Sequence, residues 1–137
     1  MVAQTLLTDP KDASTFQCRL AWKLRWWFLG LPGGVGLATA KACLKLWIGF
    51  PPGKNAVHSG GSGPAMRSAI LGAYFSGEPD ERRELVLASS RLTHRGWQAE
   101  TAALAVAEAV AQVFACQGQP EASAVISALE RISTENE

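Results

Sequence analysis

Ser59-Gly60-Gly61-Ser62-Gly63-Pro64-Ala65-Met66-Arg67-Ser68 is the stretch on which the reading of this chain turns. Proline is favoured at the first position of a helix, where its missing N–H costs nothing. Pro64 therefore marks the start of a helix rich in Ala, Met and Leu that extends to about Phe75. Three glycines ahead of it let the backbone approach another group closely, while a helix start offers unpaired amides and the positive end of the dipole. That geometry suits a phosphate or diphosphate, and it equally describes a glycine-rich helix cap with no ligand. Ser59 and Ser62 add hydroxyl groups. Arg67, one turn into the helix, either reaches an anion or anchors the loop by bonding its carbonyls.

Working outward, residues 49–63 hold two prolines and five glycines without an apolar period, which predicts a loop long enough to have a binding role. Before it, Leu37, Ala40, Leu44 and Trp47 recur at helical spacing with Lys41 and Lys45 opposite. Leu31-Pro32-Gly33-Gly34 separates this helix from an earlier one, in which Ser14 or Thr15 serves as cap and Phe16, Leu20, Leu24 and Trp27 or Phe28 form the apolar face. Asp9-Pro10-Lys11-Asp12 is its entry segment. Downstream, Pro79 with Asp80 and Glu81 opens a helix running to about Leu92, its acidic first turn matching the dipole. An alanine-rich helix over residues 97–117 follows, with Gly118 placed to end it. Pro120 opens a last helix towards Ile132, and residues 133–137 read as a polar tail. No alternating run is bounded by turn residues, so no strand is predicted. The class is all-α, a single domain over residues 1–137.

The chain's 137 residues carry a formal net charge of +1 with 47% hydrophobic and 18% charged residues, which indicates a globular domain. So small a charge gives no general field for nucleic acid or an anionic membrane, and neither is expected as a partner. Cys18, Cys43 and Cys116 have no Cys-x-x-Cys spacing and no histidine pair, so they read as small buried side chains in a reducing compartment. The N-terminus lacks a basic segment followed by a long apolar core, and the expected location is cytoplasmic. Trp22, Trp26 and Trp27 beside Arg19, Lys23 and Arg25 fit a membrane interface, but core packing with the basic stems over the rim is the stronger reading.

Several motifs fail their context. Gly34-Val-Gly36-Leu-Ala-Thr39 begins like a dinucleotide fingerprint without the preceding strand. Gly49-Phe-Pro-Pro-Gly53-Lys54 is one residue short of a P-loop, with Asn55 where a magnesium-binding hydroxyl belongs. Ser59, Ser62 and Ser68 have only His58 and His94 as bases and no nucleophile elbow, so no catalytic residue is assigned.

Residues 59–67 followed by Ala69-Ile70-Leu71-Gly72 resemble the signature of the ADP-ribosylglycohydrolases, in which a Gly-Asn-Gly step precedes Ala-Met-Arg and an apolar stretch ending in Leu-Gly. Leu92-Thr93-His94 is similar to that family's Leu-Thr-His element. The tryptophan-rich helix with Leu31-Pro32 and Gly36-Leu-Ala-Thr39 resembles the segment ahead of both. The resemblance is strongest over residues 20–111. It implies an orthogonal helical bundle, here a partial one of about five or six helices, that binds ADP-ribose or an ADP-ribosylated protein. With two divalent metals, magnesium or manganese, such proteins hydrolyse the bond between ADP-ribose and a modified side chain.

Carried over by position, the resemblance implies ADP-ribose contacts at Gly61, Ser62, Gly63, Met66 and His94, and weaker ones at Ser59. Ser62 stands where the family has asparagine, so an amide's two donors and fixed carbonyl are missing there. The family's metals are held by Thr-Asp-Asp and Asp-x-Asp-Thr elements, whereas the aspartates of this chain are Asp9, Asp12 and Asp80. Hard cations need clustered oxygen ligands, so no metal ligand is assigned and no metal is expected to bind. The chain reads as the middle of a longer hydrolase or as a reduced, non-catalytic ADP-ribose-binding or interaction domain. As part of a bundle, it should expose apolar faces of the tryptophan helix and of residues 97–117.

Overall fold

The computed structural model describes residues 1–8, 12–116 and 120–135. The chain is all-α. Its helices are α1 (Val2–Leu6), α2 (Ala13–Leu29), α3 (Leu37–Trp47), α4 (Gly63–Tyr74), α5 (Pro79–Ser90), α6 (Trp97–Ala115) and α7 (Ala122–Glu135). Among the described residues, no helix is long and apolar enough to cross a membrane.

The pair α4 and α6 forms the centre. Ala99, Ala103, Ala107 and Ala111 recur every fourth residue on α6 and are all buried, which gives that helix a smooth face. Against it lies Gly72 of α4, where an added Cβ would stand 2.2 Å from the Ala107 carbonyl oxygen. The two backbones touch because neither helix has a side chain there to hold them apart. Leu71, Leu85, Val86 and Leu104 fill the core beside this crossing, with Phe16, Leu20 and Leu24 of α2. Arg82 fastens the arrangement: it pairs with Glu108 of α6 at 2.6 Å and donates to the Phe75 and Ser76 carbonyls at the end of α4.

Several local expectations are corrected. Asp12, not Ser14 or Thr15, caps α2, its carboxylate accepting from the Thr15 hydroxyl and from the Ser14 and Thr15 amides; these bonds hold that carboxyl below its ordinary range. On α3 the buried side is Ala42, Cys43 and Leu46, while Leu37, Leu44 and Trp47 are exposed. The reason is polar anchoring. Asn55 donates to the Ala42 carbonyl and Arg25 to that of Leu46, so this side of α3 faces inward. Trp22 and Trp26 are not core residues. They lie more than half exposed, edge to face with one another, and Trp26 meets Trp47 in the same way. Trp97, Val113 and Phe114 on α6 are exposed as well.

Cys43 is buried, but Cys18, on the outward side of α2, and Cys116, at the end of α6, are exposed. α6 ends at Ala115 with Cys116 as its cap, and Gly118 lies outside the described residues. α7 continues through Ser133 and Thr134 to Glu135, where a tail was expected. α1, short and carrying no sequence signal, was not anticipated; it buries Val2 and Leu6.

A two-residue parallel bridge is the one departure from helix and loop among the described residues. β1 (Val57–His58) pairs with β2 (His94–Arg95) in the register Val57 to His94 and His58 to Arg95. Two residues per strand are too few to carry a period, which is why no strand was legible. Their effect is to tie the glycine-rich loop to the segment after α5.

Candidate functional site

Gly61 and Gly63 do not simply leave room for a ligand. Both lie against the ring of His94: a Cβ on Gly61 would be 2.9 Å from Nε2 and one on Gly63 would be 3.1 Å from Cε1. Residues 59–63 and His94, more than thirty positions apart in sequence, are thus held as one unit by the β1–β2 bridge and by the Val57 amide bonding to the Thr93 carbonyl at 3.2 Å. Asn55, fully buried, adds a second tie. Its side-chain amide donates to the Ala42 carbonyl at 3.2 Å and the Leu92 carbonyl at 2.6 Å, and its oxygen accepts from the Gly53 amide. It joins α3, the loop and the approach to His94.

Within the loop, the Gly61 amide donates to Ser59 Oγ at 3.2 Å, so the Ser59 hydroxyl shapes the turn. Ser62 is exposed at the N-cap of α4 and makes no side-chain capping bond; its hydroxyl has only a long contact of 3.9 Å to Met66 Sδ. The start of a twelve-residue helix is therefore left without a side-chain acceptor for its amides. Met66 is strongly exposed. It also borders a groove of about 580 Å³ lined by Val2, Leu20, Leu24 and Ile70, running along α4 away from the loop. Thr39 joins the cluster, its hydroxyl 3.6 Å from where a Cβ on Gly63 would be. Of the expected contacts, Gly61, Gly63 and His94 come together directly, Ser59 and Ser62 flank them, and Met66 sits one turn along.

Arg67 neither bonds the loop carbonyls nor projects to solvent. Its Nε donates to Ser89 Oγ at 2.9 Å, and Nη2 donates to the Ser89 carbonyl at 2.7 Å and to Thr93 Oγ1 at 2.5 Å. These partners are neutral oxygens. Burial pulls the guanidinium pKa down to about 10, opposed by the neighbouring Cys43 sulfur, so Arg67 remains a cation at neutral pH. The Cys43 thiol is in turn pushed up by burial. His94, buried and bonded through Nδ1 to Thr93 Oγ1 at 2.8 Å, is held below the ordinary imidazole value by burial first and by Arg67 second. It is neutral at pH 7. His58, by contrast, is exposed.

Several carboxylates are engaged elsewhere. Asp12 caps α2, Glu100 pairs with Arg91 and Glu108 with Arg82, while Asp80 stands in the first turn of α5. Among the described residues no group of three His, Cys, Asp or Glu side chains comes together, and Asp9 lies outside them. The oxygen donors that two hard divalent cations need are not assembled by these residues, so the described part of the chain does not fit the metal pair implied by resemblance.

The chain is thus an all-helical domain in which a glycine-rich turn meets a helix start beside a buried histidine. The ADP-ribosylglycohydrolase family model matches residues 1–137, and the chain belongs to that family. No curated protein and no solved structure gives a significant match. Thr39, Asn55 and Thr93 were not singled out in the sequence as site residues. Thr39 and Thr93 lay inside segments that resemble the family, but only their positions beside His94 and Arg67 give them a role.

Proposed function

We propose that this chain binds ADP-ribose, free or attached to a protein side chain, with the diphosphate at residues 59–66 and His94 beside it. The observation supporting this reading is the convergence of Gly61 and Gly63, the uncapped start of α4 and the His94 ring in a member of this family. Oriented amides at a helix start favour an anion, and Arg67 supplies a positive charge that pairs with no carboxylate among the described residues. Binding is the activity of this chain. With no group of three His, Cys, Asp or Glu side chains among the described residues to hold a metal pair, it does not carry out metal-dependent hydrolysis of the ADP-ribosyl bond by itself.

Titration calorimetry of the full chain with ADP-ribose tests the first part. Saturable binding is expected, abolished in Gly63→Trp and weakened about tenfold or less in His94→Ala, since one hydrogen bond contributes about 0.5–1.5 kcal/mol net. Absence of binding, or an unchanged affinity in Gly63→Trp, overturns it. Release of ADP-ribose from modified protein tests the second: no magnesium-dependent turnover is expected, and turnover abolished by a chelator refutes the non-catalytic reading.

A further inference from the structure

Arg67, Thr93 and His94 stand in a row whose order of donors and acceptors the binding reading leaves open. Arg67 Nη2 donates to Thr93 Oγ1 at 2.5 Å, and Thr93 Oγ1 lies 2.8 Å from Nδ1 of His94. On the far side of the ring, Nε2 faces the position of Gly61. Thr93 is completely buried and His94 nearly so, which leaves no solvent to satisfy a stray proton.

A hydroxyl has one proton and two lone pairs. Arg67 is cationic and has only protons to offer, so it occupies one lone pair of Thr93. If His94 carried its proton on Nδ1, Thr93 would accept twice and its own proton would need another buried acceptor. Among the described residues the only other partner of that oxygen is Nδ1 itself. The alternative satisfies every group: the hydroxyl accepts from Arg67 and donates to an unprotonated Nδ1. The imidazole proton is then on Nε2, on the side of the loop.

We propose that Thr93 is a positioning residue whose hydroxyl, polarised by Arg67, fixes His94 as the neutral Nε2–H tautomer and so aims one hydrogen-bond donor at residues 60–63. The chemical consequence is selectivity for a ligand that presents an acceptor oxygen, as a phosphate or ribose oxygen does, over one that presents only donors. This last clause rests on the ADP-ribose reading; the tautomer does not. The charged and titratable groups facing the relay are Arg67 from α4 and, behind it, Cys43 from α3. Neither supplies a negative charge at neutral pH that would draw a second proton onto the ring. The low pKa of His94 agrees with this arrangement.

The test is long-range proton–nitrogen correlation spectroscopy on the ring nitrogens of the nitrogen-15-labelled full chain at pH 7, without ligand. His58→Gln assigns the two histidines. His94 should show a protonated Nε2 and an unprotonated Nδ1 of fixed type. Thr93→Ser should keep the wild-type His94 signature, whereas Thr93→Val should lose it, shifting both ring nitrogens towards the mixed-tautomer average and raising the Kd for ADP-ribose several-fold. A wild-type His94 protonated on Nδ1 overturns the proposal whether or not the valine variant folds. A His94 signature unchanged in a folded Thr93→Val overturns it also. The two readings separate cleanly: the Nε2–H signature in a chain that does not bind ADP-ribose keeps the relay and removes the ligand, and binding with the opposite tautomer does the reverse.

Discussion

Gly72→Ala adds a single methyl group where α4 crosses α6, and the structure sets its effect. The new Cβ would stand 2.2 Å from the Ala107 carbonyl oxygen and 2.9 Å from the Ala107 carbonyl carbon and Cα. All three are backbone atoms, so no side-chain rotation relieves the overlap. The helices must move about 1 Å apart, and a gap of that size forfeits a quarter to a half of the dispersion energy of each contact it opens. Overpacking of this kind costs about 3 kcal/mol, while alanine regains about 1 kcal/mol of helix propensity. The net loss is about 2 kcal/mol, or about 6–8 °C in Tm for a domain of this size. The assay is thermal and urea denaturation followed by circular dichroism, with Gly77→Ala as control because nothing lies within 4 Å of its Cβ position. A Gly72→Ala protein as stable as wild type, or more stable as at an exposed helical glycine, would refute the close backbone crossing. Because α4 also carries residues 63–67 of the site, the same variant should bind ADP-ribose more weakly under conditions where it remains folded.

Gly61→Ala, which drives its Cβ to 2.9 Å from His94 Nε2, should displace the ring and weaken ADP-ribose binding, whereas Gly77→Ala, outside residues 59–66 and with nothing within 4 Å of its Cβ position, should leave calorimetric affinity unchanged. Asn55→Leu removes the amide that bonds the Ala42 and Leu92 carbonyls and strands them; a loss of about 2–3 kcal/mol in unfolding free energy, read from urea denaturation, is expected. His94 has a folded pKa below its ordinary value of 6.5. The unfolded chain therefore takes up a proton that the folded one refuses as pH falls through that value. Stability should fall on acidification below about 6.5 and level off once the folded ring protonates, with no slope from this group above about 7. His94→Gln should remove that component of the pH–stability curve, and an identical curve in the variant counts against a buried neutral ring.

Much of the fold was written in local sequence. Pro64 and Pro79 at helix starts, the three- and four-residue recurrence of Phe16, Leu20 and Leu24, and the alanine run of α6 each depend on backbone sterics or on a single helix face, and a linear pattern records both. The family likeness placed Gly61, Gly63 and His94 in one site, and those three residues are in contact. The inward side of α3, the exposure of Trp22 and Trp26 and the roles of Asn55, Arg67 and Thr93 were decided by tertiary structure. Hydrophobic periodicity reports how apolar a face is, not which neighbour arrives to cover it. Leu44 and Trp47 lost their expected place because carbonyls on the other side of α3 found donors in buried Asn55 and half-buried Arg25. A polar side chain offers several partners in sequence and acquires its role only when folding removes water and leaves one geometry that satisfies every donor and acceptor. Local pattern and family likeness, legible in the sequence, located most of the helices and grouped Gly61, Gly63 and His94 at one expected site; the approach of those glycines to the His94 ring and the partners of each buried hydrogen bond depended on packing between segments far apart in the chain.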